Sequence, residues 1–262
     1  DVFLKKPSVL DGFSKDTYDL KKLYVALKWH NIELSDVSFD TMLAGALLDY
    51  NIKEDISYLA NALDYDIPFY DTVYGKTKVV EPDMVDVAYG AILKAKFIYE
   101  TKDFFSEKII EEKLNSLLYD VEMPLSYVLG DMEYNGVNVD VATLNKMGEE
   151  LKVKISDIKN KIYEYSGMEF NIASPKQLAD VLFVKMKIPY TKKKVDNYST
   201  SADILNKLRN VHPIIDCILD YRMYTKIYST YVDGLSNFVF PDGKCHTIYT
   251  QALTRTGRLS SI

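Results

Sequence analysis

Three groups of side chains in this sequence have the types and spacing to grip a phosphate backbone. At the carboxyl-terminal end, Thr254-Arg-Thr-Gly-Arg-Leu-Ser-Ser261 gathers two arginines and four hydroxyls around a glycine. Earlier, Ser174-Pro-Lys-Gln177 reads as a capping box with proline at the first helical position. Asn171, Ser174 and Lys176 thereby crowd a helix start whose free N–H groups favour anions, and Lys185, Lys187 and the run Lys192-Lys193-Lys194 follow. Between these two stretches, Arg222, Lys226 and Ser229 fall on one helical face at i, i+4 and i+7, a spacing at which both cations track successive phosphates along one strand. Taken singly, each cation reads equally well as solvated surface charge.

Long elements must carry these groups. Asp140 can cap a helix running to Ser166-Gly167, with Leu144, Met147, Leu151, Ile155, Ile158, Ile162 and Tyr165 in steps of three and four. At 1.5 Å per residue it predicts a rod of about 35–40 Å. Ile214, Ile218, Tyr221, Thr225, Tyr228, Val232 and Leu235 repeat the rhythm, so the two segments read as an antiparallel arm with residues 167–213 at its tip. Within the tip, Ser199-Thr-Ser-Ala-Asp203 starts another short helix. Beyond the arm, the alternation in His246-Thr-Ile-Tyr-Thr-Gln251 predicts a strand feeding the glycine-containing loop.

Ahead of the arm, residues 1–118 read as helices joined by short loops. Asp40 or Phe39 opens one through Met42, Leu43, Ala46 and Leu47, and Asp55 opens another through Ile56, Leu59, Ala60 and Leu63. Pro82 starts a longer one with Val85, Ala88, Ile92 and Ala95 on one face, and Ser106 caps a further segment through Ile109, Ile110, Leu114 and Leu117. A stripe of Val121, Leu125, Val128, Leu129 and Met132 ends at Asn135-Gly136, where glycine suits the left-handed position. No strand-rich core is visible, so the main sheet of a mixed α/β domain would lie upstream of Asp1. The chain also stops after Ser261-Ile262 with no terminating element, which suggests a domain cut in its middle.

Composition sets the broad class. With 47% hydrophobic and 27% charged residues the chain is an ordinary globular protein. It has no apolar run approaching the ~20 residues of a membrane span and no signal-peptide anatomy at Asp1-Val-Phe-Leu-Lys-Lys6, which predicts a cytoplasmic location without a membrane partner. Cys217 and Cys245 sit far apart on a helix and a turn, as idle thiols in a reducing compartment. The net charge of -6 conceals an asymmetry: residues 1–170 hold 19 Lys and Arg against 31 Asp and Glu, while residues 171–262 hold 13 against 7. Every arginine lies in that basic second part, which points to a polyanion partner there and a solvated support in the acidic first part.

In combination these stretches resemble a known family. Phe170-Asn-Ile-Ala-Ser-Pro-Lys-Gln-Leu178, Tyr198-Ser-Thr-Ser-Ala-Asp-Ile-Leu205, Tyr221-Arg-Met-Tyr-Thr-Lys-Ile-Tyr-Ser-Thr-Tyr231 and His246-Thr through Gln251-Ala-Leu-Thr-Arg-Thr-Gly-Arg-Leu-Ser-Ser261 resemble, in order and spacing, the thumb and first palm segment of family A DNA polymerases. Phe39-Asp-Thr-Met-Leu43 and Glu122-Met-Pro-Leu125 resemble the later part of that family's 3′–5′ exonuclease domain. The resemblance implies an α+β class, predominantly helical here. Residues 1–118 would be a partial ribonuclease H-like exonuclease domain, 119–240 a long antiparallel helical thumb, and 241–262 the first strands of a truncated palm.

It also implies roles. Asn171, Ser174 and Lys176 would meet the duplex backbone from the thumb tip. Arg222 and Lys226 would hold primer-strand phosphates, with Ser229 and Thr230 nearby. Gln251, Thr254 and Thr256 would lie along the primer side, and Arg258 would reach the minor groove near the primer terminus, where every correct pair offers a similar acceptor. The intact protein would perform template-directed DNA synthesis in replication and repair with Mg²⁺, primer-template DNA and deoxynucleoside triphosphates, as a monomer.

Departures from the family pattern limit this stretch. The family's exonuclease clamps its phosphodiester between two metal ions held by Asp-x-Glu, Asn-x-x-x-Asp and Tyr-x-x-x-Asp motifs. Here Asp19 matches the second aspartate but Lys15 replaces the asparagine, and Tyr89 is followed at the carboxylate position by Leu93. A lysine repels a metal and a leucine cannot ligate one, so Asp19 reads as vestigial and the domain as non-proofreading. The family's catalytic palm aspartates and fingers motifs do not occur, so these residues alone are expected to bind no Mg²⁺ and to be inactive in synthesis. The alternative reading is a non-catalytic duplex DNA-binding module; an active nuclease is a third, disfavoured by Lys15 and Leu93.

Overall fold

The computed structural model describes residues 12–78, 80–190, 198–252, 254 and 256–262. The described chain is predominantly helical and divides into two compact units, one formed by residues up to Gly136 together with His246–Ile262, the other by Val137–Cys245. The lysine run 192–194 and Arg255 lie outside the described residues.

The first unit opens with a β-α-β crossover: β1 (Lys15–Thr17), α1 (Leu20–Trp29) and β2 (Val37–Asp40), the strands parallel with Asp16 opposite Phe39 and Thr17 opposite Asp40. A crossover helix is what parallel pairing requires. Then come α2 (Thr41–Leu47), α3 (Ser57–Ala62), α4 (Tyr70–Tyr74), α5 (Met84–Glu111) and, after a wide turn at Leu117–Glu122, α6 (Met123–Asn135). Asp40 caps α2 by accepting from Leu43 N at 2.9 Å, and Gly136 ends α6 at φ 62°, both as the sequence predicts.

The long helix α5 departs from expectation twice. It runs unbroken through Ser106, and Asp83, not the Pro82 turn, caps it by accepting from Val85 N at 2.8 Å. Its buried face is Phe97, Thr101, Phe105 and Ile109, whereas Val85 and Ile92 are 73% and 63% exposed. The aromatic residues win the core because each buries more apolar area than the alanines and valine of the competing stripe. Phe97 and Phe105 join Phe39, Leu20, Leu59, Ile109 and Leu118 among the fully buried side chains of this unit.

The second unit is the predicted arm. Strand β3 (Val137–Asn138) precedes α7 (Val141–Ser166), which Asp140 caps through Thr143 N at 3.0 Å and Gly167 ends at φ 69°. The tip carries α8 (Pro175–Ala179), continued by a wide turn to Lys185, and α9 (Ala202–Lys207). The return is α10 (Ile214–Ile227), a wide turn at Tyr228–Asp233 and α11 (Gly234–Ser236), followed by β4 (Lys244–Cys245) paired with β3. The run is antiparallel to α7: Tyr165 meets His212 at one end and Gly148 meets Val232 at the other. Both cysteines, on α10 and β4, are free thiols.

The seam of α7 differs in detail from the apolar pattern. Met147 and Tyr165 are largely exposed, while Gly148 and Ser166 are buried beside Leu151 and Ile162. A Cβ on Gly148 would stand 2.8 Å from Val232 Cγ1, so the helices approach at a residue that no hydropathy pattern registers. Gly148→Ala is expected to push the two helices apart and destabilise the arm by about 1–3 kcal/mol, because well-packed cores resist added volume. Urea unfolding followed by far-UV circular dichroism measures it; an unchanged or raised midpoint contradicts the close approach.

The last residues return to the first unit as a hairpin, β5 (Tyr249–Thr250) antiparallel to β6 (Ser260–Ser261). Ile248 and Ile262 exchange backbone bonds of 3.3 and 3.0 Å at its open end. Among the described residues no helix is long and apolar enough to cross a membrane.

Candidate nucleic-acid interface

At the arm tip the sequence-predicted residues come together around the start of α8. Ser174 caps the helix, its Oγ accepting from Gln177 N at 3.4 Å. The second half of the expected capping box is different: Gln177 Oε1 accepts from Asn171 N at 2.8 Å, and Ser174 N donates to Asn171 O instead. Asn171 Oδ1 accepts from Ala173 N at 3.0 Å, turning the chain into the helix. Buried Ile172, Leu178 and Leu182 anchor this turn in the tip core, which leaves Asn171 and Lys176 exposed and Ser174 half-buried on one edge. A hydroxyl already accepting from the backbone still has its proton to donate to a phosphate oxygen.

On the return helix the three residues of the predicted face are not equivalent. Lys226, Ser229 and Thr230 are exposed. Arg222 is half-buried, its guanidinium donating to Thr200 O at 2.5 Å and to Thr200 Oγ1 at 3.1 Å. Burial lowers its pKa below the ordinary arginine value. Arg222 therefore ties the return helix to the loop before α9, and its charge faces the tip as part of the fold. Thr200 is the residue that sequence reasoning missed here; its sole trace in the sequence is a hydroxyl in a serine- and threonine-rich loop.

The hairpin loop presents Thr254, Thr256 and Arg258, all exposed. Thr254 Oγ1 donates to Arg258 O at 2.8 Å, Gly257 N donates to Thr254 O at 3.3 Å, and Gly257 turns the chain at φ 69°. Such a conformation suits glycine, which lacks the Cβ that penalises positive φ. Gln251 is a correction: it is 8% exposed and its amide is used inside the unit. Its Oε1 accepts from Ser126 Oγ at 2.8 Å, and its Nε2 donates to Glu122 O and Glu122 Oε2, each at 2.7 Å. Gln251 is thus buried and bonded on both sides within the unit.

The residues at the exonuclease-like positions do not fit a two-metal site. Asp19 is 9% exposed, and its carboxylate caps α1 by accepting from Lys22 N at 3.1 Å. The Lys15 ammonium donates to Phe13 O and Ser35 O at 2.8 and 2.9 Å, Leu93 packs against the core, and Tyr89 is exposed. Among the described residues no group of three or more His, Cys, Asp or Glu side chains is arranged to hold a metal. Nearby Asp40 is fully buried, accepting from Leu20 N, Leu43 N and Thr17 Oγ1. Burial pushes its carboxyl up to about 6 against the opposing pull of those N–H donors, with Asp19 adding to the rise.

Comparison with known proteins agrees with this architecture. Residues 141–262 match the model of DNA polymerase family A, and residues 10–101 match that of the DNA polymerase I ribonuclease H-like domain. The chain is 44% identical over 252 residues to a DNA polymerase I of Bacillus caldotenax, an alignment covering 94% of this chain and 29% of that protein. It is 42% identical over 261 residues to DNA polymerase I of Bacillus subtilis (strain 168), covering 96% and 29%. The chain thus spans 29% of the length of these relatives. Among solved structures, the POL domain of Pol1 from M. smegmatis, in complex with DNA primer-template and dNTP, superposes with a TM-score of 0.79 at 30% identity, covering 97% of this chain and 43% of that one. With both family models matched in order and the fold shared along nearly its whole length, the chain belongs to DNA polymerase family A.

Proposed function

We propose that the protein containing this chain performs template-directed DNA synthesis, and that this stretch holds the primer-template duplex without supplying the chemistry. The division into an exonuclease-like part (1–118), a thumb (119–240) and the start of a palm (241–262) belongs to the same proposal. The observation that carries it is the exposed set on the 246–262 hairpin, Thr254, Thr256 and Arg258, in a chain whose arm separately exposes Asn171, Lys176, Lys226, Ser229 and Thr230. Hydroxyls and cations on rigid elements position a phosphate backbone, while Arg258 has the reach and donor geometry for a minor-groove acceptor. Arg222 contributes through the field of its charge and through its hold on Thr200.

Deoxynucleoside triphosphates and Mg²⁺ belong to the intact enzyme, whose palm carboxylates would hold the ions; no residue described in this chain fits that task. A non-proofreading exonuclease-like part, a monomeric state and a cytoplasmic location complete the proposal. Primer extension by the intact protein, with none by residues 1–262 alone, is the direct test. Duplex affinity against salt tests the shared premise. About four phosphate contacts predict a log–log slope near -3 to -4, and Lys226→Ala is expected to reduce its magnitude by about 1 without changing sequence preference. A flat profile contradicts the exposed cations as a DNA site.

A further inference from the structure

The hairpin that presents Arg258 is fastened from behind by buried polar groups that make no proposed contact with DNA. Gln251 bonds to Glu122 and Ser126 as described, and two residues earlier Tyr249 N donates to Glu133 Oε1 at 2.7 Å. The same carboxylate oxygen takes the Lys21 ammonium at 2.5 Å, with both side chains 7% exposed. His246 Nδ1 lies 2.7 Å from Glu133 O. Glu122, Ser126 and Glu133 share one face of the 117–135 helical segment, being separated by four and seven residues along a helix of 3.6 per turn. Apolar contact alone would let a short hairpin slide. Directional bonds to desolvated groups do not, because a small shift leaves each partner unsatisfied.

We propose that Gln251 and Glu133 are positioning residues for the primer terminus, setting the height and register of the 254–258 loop so that Arg258 meets the terminal pair. The 117–135 helical segment, held to the exonuclease-like part through Lys21, would then serve the polymerase as the base on which this loop is registered. The inference rests on the reading of the intact protein as a template-directed polymerase. It predicts a defect in the rate of nucleotide addition more than in duplex binding, since displacing a positioning group costs rate out of proportion to its distance from the chemistry.

The test uses the full-length protein with Gln251→Leu, Ser126→Ala, Arg258→Ala and the Gln251→Leu/Arg258→Ala pair, each active-site titrated so that only folded enzyme is counted. Gln251→Leu is expected to lower kcat for single-nucleotide addition by about tenfold or more while duplex Kd stays near wild type. Ser126→Ala removes one bond of the latch and is expected to give a smaller loss of the same kind in a securely folded protein. In the Gln251→Leu background, Arg258→Ala should cost far less than it does alone, because a misplaced arginine has little left to lose. Independent, multiplicative effects of the two substitutions, or an unchanged kcat in both Gln251→Leu and Ser126→Ala, overturn the positioning role while leaving the polymerase reading standing. A wild-type protein that adds no nucleotide overturns both.

Discussion

Glu133→Ala lowers the stability of the first unit by about 3–5 kcal/mol, the cost of stranding a buried charge. The alanine removes the partner of Lys21, whose ammonium is almost as inaccessible as the carboxylate it meets, and it orphans Tyr249 N as well. The Lys21→Met/Glu133→Gln pair is expected to recover most of this loss. It removes both charges together, and the glutamine oxygen still accepts from Tyr249 N. Trp29, the single tryptophan, packs on Tyr134 and His246 at ring-centroid distances of 4.8 and 5.4 Å. Its fluorescence in a urea titration therefore reports the unit that holds the pair. A single variant within 1 kcal/mol of wild type, or a double variant as unstable as Glu133→Ala, contradicts a buried and mutually dependent pair.

Between about pH 3 and 7 the wild-type unit is expected to lose about 3 kcal/mol relative to Asp40→Asn, from a folded-state pKa of about 6 against the ordinary value of 3.8. The sign follows from the direction of the shift. Below about pH 3 the carboxyl is protonated in both states and its contribution is fully present. As pH rises the unfolded chain releases the proton first, so the folded state, which still holds it, is progressively disfavoured until its own pKa is passed. Asp40→Asn is less stable at every pH, because its amide nitrogen faces one of the N–H groups that the carboxylate accepts from. Its profile nevertheless lacks this slope. Carboxylates whose pKa is lowered, such as Asp131 beside Lys28 and Tyr24, tilt both profiles equally in the opposite direction and cancel in the difference. Urea midpoints followed by Trp29 fluorescence measure it, and parallel profiles show that Asp40 titrates normally.

Local signals explain which elements were legible. The arm was, because Asp140, Gly167 and the three-four apolar rhythm each act within one helix, and a capped rod with one sticky face has few ways to pack. The hairpin was legible in part: alternation before a glycine predicts the strand that forms at Tyr249–Thr250, but Ser260–Ser261, read as loop, is its partner strand. Helix α5 was misjudged at both ends. Its apolar residues populate more than one stripe, and which stripe is buried depends on Phe39, Leu59 and Leu118 arriving from elsewhere in the unit. Gly148 was invisible because its contribution is the absence of a side chain.

The candidate site divides along the same line. Residue types and short-range spacing sufficed to nominate Lys176, Lys226, Thr256 and Arg258, since exposed cations and hydroxyls beside helix starts and turns need only the local chain to be presented. The expectation that Asp19 holds no metal came instead from the family resemblance, which marks the positions that Lys15 and Leu93 occupy. Gln251 and Arg222 went the other way. Each is a strong hydrogen-bonding group whose partner lies far off in sequence, Glu122 and Ser126 for one and Thr200 for the other. A buried polar group must be satisfied, yet nothing in the sequence names the group that satisfies it. That assignment waits on the packing of α6 beneath the hairpin and of the tip loop beside α10, which gives both residues partners inside the fold.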